Sequence, residues 1–214
     1  VAENTASENG RRRPKVGVVA MQGDVDAHVR AVEAAGGEAA PVRTPEQIAA
    51  CDALILPGGE STTIGKLMAR YGVDDAIKGA HAAGKPIYGT CAGMILLAKD
   101  IVRGAEQGGQ PTLSLLDVAV ARNAFGRQVD SFETDIEAPE VAGGEPVRGV
   151  FIRAPYVAEV GPGVDVLARY EDRVVLVRQG NVLASAFHPE LTDDARVHRY
   201  FLGMLQNGGE SPDR

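Results

Sequence analysis

The chain has 214 residues, 44% of them hydrophobic, with 29 acidic against 22 basic side chains and a formal net charge of −7. Glycine is in excess at 26 residues, yet with 12 prolines and no G-X-Y period the composition excludes collagen and low-complexity disorder. The acidic balance argues against nucleic acid as a partner. No apolar run of about 18 residues marks a membrane span. Two cysteines make no disulfide framework, and free thiols suit the cytoplasm.

Residues 1–14 are polar and read as a disordered tail. Lys15–Met21 is a short valine-rich run, read as a buried strand. Val25–Ala35 carries Val25, Val29 and Val32 at helical spacing and stops at Gly36-Gly37. Glu38–Arg43 is a second strand, Pro45–Ala50 a short helix and Asp52–Leu56 a third strand, ended by Pro57-Gly58-Gly59. Helices follow over Thr62–Tyr71 and Val73–Ala83. Pro86–Gly89 is a fourth strand and Ala92–Ile101 a further helix. Strands alternating with helices in this way imply βαβ units and a mainly parallel sheet.

The second half changes character. Leu115–Arg122, Gln128–Glu137, Gly149–Ile152, Val164–Tyr170, Val174–Arg178 and Val182–Phe187 all read as strands, the last three joined as hairpins. Gly104–Pro111 and Ala138–Pro146 are loops. Thr192–Leu205 is a closing helix with Thr192 as its N-cap. The residues thus describe one α/β domain over 15–207 with an antiparallel annex, and a short C-terminal tail at 208–214.

Gly89-Thr90-Cys91-Ala92-Gly93 lies between a predicted strand and a predicted helix. A G-x-C-x-G there has the form of a nucleophile elbow, in which a sharp turn exposes the middle side chain. The flanking glycines remove Cβ atoms that would obstruct the turn. The helix N-terminus favours a thiolate and offers amides to an oxyanion. A thiol nucleophile needs a base, and the base an orienting group. His188, in Phe187-His188-Pro189-Glu190, follows a strand. Extended backbone would place His188 and Glu190 on one face. His28, His81 and His198 lie in helical stretches and read as surface or packing histidines, and Cys51 as a packing cysteine. The Gly58-Gly59 turn lets backbone amides approach a ligand and supply the other wall of an oxyanion hole. No P-loop and no metal-ligand spacing is present.

P-G-G-E at 57–60, G-T-C-A-G at 89–93 and H-P-E at 188–190 together resemble a class I (triad) glutamine amidotransferase. Ala20–Gly23 (AMQG), Pro57–Thr63 (PGGESTT), Arg122–Glu133 (RNAFGRQVDSFE), Phe151–Pro155 (FIRAP) and Phe187–Thr192 (FHPELT) are similar to the glutaminase-subunit family of pyridoxal 5′-phosphate synthases. The resemblance implies a flavodoxin-like three-layer α/β/α sandwich with a mostly parallel central sheet and an antiparallel annex. It implies hydrolysis of L-glutamine to glutamate and ammonia, without cofactor or metal. The ammonia would go to a (β/α)₈ synthase subunit in a cytoplasmic hetero-oligomer of 12 + 12 chains. By resemblance the nucleophile falls on Cys91 and the charge relay on His188 and Glu190. Glutamine binding falls on Gly59, Glu60, Ser61, Arg122, Ile152 and Arg153, with the oxyanion hole at Gly58, Gly59 and Ala92. Three alternatives remain: a class I glutaminase serving another synthase, a non-catalytic regulatory subunit, and a cysteine enzyme of α/β-hydrolase type without a partner. The FIRAP and RQVDSFE stretches argue against the first, and the complete Cys91, His188, Glu190 set against the second.

Overall fold

A computed structural model describes residues 12–103, 110–122 and 131–207. Most of the N-terminal tail, the greater part of the 104–111 loop, positions 123–130 of the RNAFGRQVDSFE stretch and the tail at 208–214 lie outside the described residues.

The first half follows the alternating pattern. Strand β1 (Lys15–Val19) leads to helix α1 (Val25–Ala34), β2 (Glu38–Val42), α2 (Pro45–Ala49), β3 (Ala53–Leu56), α3 (Ser61–Tyr71), α4 (Val73–Ala82), β4 (Ile87–Thr90) and α5 (Ala92–Leu97). Then come β5 (Ala98–Arg103), β6 (Leu116–Ala121), β7 (Ser131–Ile136), α6 (Pro139–Ala142), β8 (Val147–Ile152), β9 (Tyr156–Val160), β10 (Asp165–Tyr170), β11 (Arg173–Gln179) and β12 (Val182–Ser185). A 3-10 turn at Pro189–Leu191 precedes the closing helix α7 (Arg196–Asn207).

Among the described residues the main sheet has ten strands in the order β2-β1-β3-β4-β12-β11-β9-β6-β5, with β10 pairing off β11. From β2 to β12 every neighbour is parallel. Beyond β12 the pairs turn antiparallel until the parallel β5–β6 edge. Strands β7 and β8 form a separate antiparallel ribbon. The architecture is the α/β class expected from the alternation, with its antiparallel annex. The central strands are buried because helices cover the parallel sheet: β3 and β4 are buried at all four positions.

Four local expectations change. The helix starting at Ala92 ends at Leu97, and Ala98–Arg103 is strand instead. Ala98 turns extended (φ −61°, ψ 152°), the amides of Leu113 and Leu115 occupy the carbonyls of Leu96 and Leu97, and β6 offers an edge to pair with. Tertiary pairing overrides helix propensity there. Strand β9 was not expected; it fills the place between β6 and β11. The 138–146 loop holds the short helix α6, with Pro139 in its first turn. The closing helix begins only at Arg196, and Thr192 is not its cap. The Thr192 hydroxyl donates to Pro189 O and accepts from Asp194 N, while the Asp194 carboxylate accepts from Arg196 N at 3.0 Å.

The ribbon is seated on the main sheet by aromatic packing. Phe151 and Phe187, both fully buried, have ring centroids 5.7 Å apart, and Phe132 stacks on Phe151 at 4.7 Å. Burying each such ring stabilises by about 1.5–3 kcal/mol. Since Ile152 follows Phe151 and His188 follows Phe187, this contact brings two sequence-distant segments together. The His188 amide donates to Val150 O at 2.8 Å and completes the join.

Candidate active site

Strands β3, β4 and β12 are adjacent and parallel, with Ile87 opposite both Leu54 and Val182. Their C-terminal ends therefore emerge side by side, where open α/β sheets place ligand sites. The Gly58-Gly59 turn follows β3, Cys91 follows β4, and His188 lies just beyond β12.

Cys91 sits at φ 50°, ψ −103°, a conformation L-residues rarely adopt, held by its amide donating to Ser185 O at 2.8 Å. Such backbone costs about 1–3 kcal/mol and persists where surrounding structure enforces it. The flanking glycines permit it here. A methyl group on Gly93 would run into the Leu56 carbonyl oxygen, and one on Gly89 would lie 2.6 Å from the Gly93 carbonyl carbon. The elbow closes only because both positions lack a Cβ. The Cys91 side chain is buried but reaches the cleft, with Sγ 3.8 Å from Ile152 O.

His188 is 9% exposed, and its Nδ1–H donates to Glu190 Oε1 at 2.8 Å. The two meet through the 3-10 turn at Pro189–Leu191 rather than along an extended strand; the i, i+2 argument reached the right neighbour by the wrong geometry. The imidazole lies on Gly58, where any side chain would strike its Cε1. Burial works against a charged ring, but hydrogen bonding and charge from Cys91 and Glu190 outweigh it and raise the His188 pKa to about 10. Burial would also raise the Glu190 carboxyl; His28 and His188 overcome this and hold it well below the usual range.

A cleft of about 250 Å³ opens over these groups. Cys91, Ala92 and His188 line it, together with Gly59, Glu60, Ser61, Arg122, Ile152 and Arg153. Gly58 and Glu190 do not: one lies under the His188 ring and the other behind it, buried. Within the cleft the polar groups differ in how far they are engaged. Glu60 caps α3, accepting from Thr62 N at 2.9 Å and Thr63 N at 2.7 Å. Although burial opposes ionisation, these bonds and that of the Thr63 hydroxyl lower its pKa to about 2. Arg122 is 3.6 Å from Glu60 and donates to Gln110 at 2.6 Å. Arg153 is exposed at φ 43° and makes no ion pair among the described residues, and the Ser61 hydroxyl is buried without a partner among them. Gly59, at φ 145°, makes the turn that brings it to the cleft wall.

Two residues that the sequence reading left as surface or packing histidines join this site. His28 and His198 are fully buried and hydrogen-bonded to each other at 3.2 Å, and His28 Nε2 lies 3.3 Å from Glu190 Oε1. A signal for His28 was present: it sits three after Val25 and four before Val32, on the apolar face of α1. Cys51 is a packing cysteine, its Sγ donating to Gln47 O and its thiol pushed up by burial. Among the described residues, no group of His, Cys, Asp and Glu stands where it could hold a metal ion, and no helix is long and apolar enough to cross a membrane.

Residues 18–207 match the model of the SNO glutamine amidotransferase family. A protein of Desulforudis audaxviator named pyridoxal 5′-phosphate synthase subunit PdxT is 58% identical, over 89% of this chain and 98% of its own length. One of the same name from Carboxydothermus hydrogenoformans is 54% identical, over 91% and 99%. A crystal structure described as a glutamine amidotransferase superimposes with a TM-score of 0.83 at 53% identity, covering 89% of this chain and 98% of that one. A match over nearly the whole chain, together with a cysteine elbow facing a histidine at the ends of parallel strands, means that this chain belongs to the SNO glutamine amidotransferase family.

Proposed function

We propose that the chain is the glutaminase subunit of a pyridoxal 5′-phosphate synthase, hydrolysing L-glutamine to L-glutamate and ammonia and passing the ammonia to a synthase subunit. The meeting of Cys91 and His188 at one cleft, with Glu190 bonded to His188 from behind, carries this reading; the names of the 52–58% identical relatives support the choice of synthase. Cys91 passes its proton to His188. The thiolate attacks the carboxamide carbon of glutamine, and the oxyanion that forms is held by amides of Gly59 and Ala92, while Gly58 shapes the turn beneath His188. His188 gives its proton to the leaving nitrogen, ammonia departs, and a thioester to Cys91 remains. His188 then takes a proton from water, the hydroxide attacks the thioester, and glutamate leaves with the thiolate restored. Glu190 keeps His188 oriented throughout.

Gly59, Glu60, Ser61, Arg122, Ile152 and Arg153 form the glutamine site. Arg153 and the Ser61 hydroxyl are the groups least engaged within the protein, and a guanidinium suits the substrate α-carboxylate. Glu60 acts by holding the turn and Arg122 in place. Residues 15–207 work as one catalytic domain, in the cytoplasm, in a 12 + 12 hetero-oligomer with the synthase. The test is glutamine hydrolysis with and without the synthase subunit. Hydrolysis that rises on adding the synthase is expected; none in either state overturns the reading. Sedimentation of the mixture checks the stoichiometry.

A further inference from the structure

Glu190 is approached by two imidazoles. His188 Nδ1 lies 2.8 Å from Oε1, and His28 Nε2 lies 3.3 Å from the same oxygen. His28 comes from α1 and does not line the cleft, so nothing in the reaction touches it directly. Its Nε2 is also 3.1 Å from Thr90 Oγ1, and its Nδ1 is 3.2 Å from His198 Nε2 on α7.

The protons of this chain follow from the donors and acceptors. His198 is fully buried, and burial pushes its pKa down to about 3, so the ring is neutral and carries one N–H. Its Nδ1 has no hydrogen-bond partner among the described residues. The Tyr88 hydroxyl beside it is engaged with Ser185 Oγ at 2.8 Å, and Ser185 donates to Phe187 O. A buried N–H without an acceptor is costlier and rarer than an unused lone pair. The His198 proton therefore sits on Nε2 and points at His28 Nδ1, which accepts it. His28 must then carry its own proton on Nε2, directed at Glu190 Oε1 and Thr90 Oγ1. The carboxylate, an acceptor only, thus has two imidazoles against one oxygen, His188 Nδ1 at 2.8 Å and His28 Nε2 at 3.3 Å.

We propose that His28 is a positioning residue for the Cys91–His188–Glu190 relay: its Nε2–H, fixed in that tautomer by His198, holds the Glu190 carboxylate where it binds His188 Nδ1. The inference rests on the glutaminase reading above.

Two variants separate this role from a mere pin between α1 and α7. In His28→Gln the side-chain amide reaches the place of Nε2 and keeps a donor for Glu190. In His28→Asn it reaches only the place of Nδ1 and keeps the contact with His198. Glutamine hydrolysis is measured with excess synthase subunit, per active site counted by labelling Cys91 with a glutamine-mimicking electrophile. His28→Asn should lower kcat about tenfold or more with KM within about twofold of wild type, and His28→Gln should stay within about threefold in kcat. Equal rates, a faster Asn than Gln variant, or a loss confined to KM overturns the role of His28 while wild type is active. Absence of glutamine turnover by wild type overturns the glutaminase reading and this inference with it.

Discussion

Glu190→Gln keeps the shape of the side chain and removes its charge. The amide oxygen can still accept from His188 Nδ1 and His28 Nε2, but the NH₂ group takes the place of Oε2. That oxygen is buried with no hydrogen-bond partner among the described residues. Two N–H donors would then be buried there without acceptors, costing about 1–3 kcal/mol of stability. The lost charge acts on His188, whose pKa of about 10 is reached against burial with the help of Cys91 and Glu190. A carboxylate in contact raises such a group by about 1–3 units, and each unit is worth about 1.4 kcal/mol. Removing the anion favours the neutral ring, so the pKa falls. The alkaline limb of the kcat profile, where His188 gives up its proton, should move down by about 1–3 pH units. The assay is glutamine turnover against pH in the presence of the synthase, with thermal unfolding alongside. A limb that stays within about 0.3 units of wild type would refute the claim that the Glu190 charge sets the protonation of His188.

Cys91→Ala should abolish glutamine turnover; more than a small residual rate with excess synthase removes Cys91 as nucleophile. His188→Ala should cost more than Glu190→Ala, since one moves the proton and the other orients; turnover per folded site decides, and the reverse order contradicts the roles. Gly93→Ala drives a methyl into the Leu56 carbonyl oxygen, a backbone atom that cannot turn aside, so about 1–3 kcal/mol of stability should be lost. Calorimetric unfolding indistinguishable from wild type would mean the elbow tolerates a Cβ. Arg153→Ala should raise KM for glutamine about tenfold with kcat little changed. Because Arg153 is exposed, its Tm should not move, and an unchanged KM removes it from the substrate site.

The parts of the site legible in the sequence are those whose geometry is local. Gly89 and Gly93 flank Cys91 because a turn of that tightness admits no Cβ at either place, a constraint that acts within five residues. Pro189 sets His188 and Glu190 close together whether the segment is extended or, as found, a 3-10 turn. The apolar runs of β1, β3 and β4 announce a buried parallel sheet because helices cover both faces. The cleft residues Arg122, Ile152 and Arg153 came instead from family resemblance, since nothing near them in the chain marks a ligand.

Sequence alone thus determined the α/β alternation, the cysteine elbow and the histidine–glutamate pair, because periodicity and Cβ sterics are properties of neighbouring residues. Only the tertiary structure decided that the helix after Cys91 stops at Leu97, that Tyr156–Val160 pairs between two distant strands, and that His28 and His198, 170 positions apart, meet behind Glu190. Strand edges, burial and long-range hydrogen bonds come into being with the assembled sheet, and the same local sequence can serve a packing role or a catalytic one according to what is folded against it.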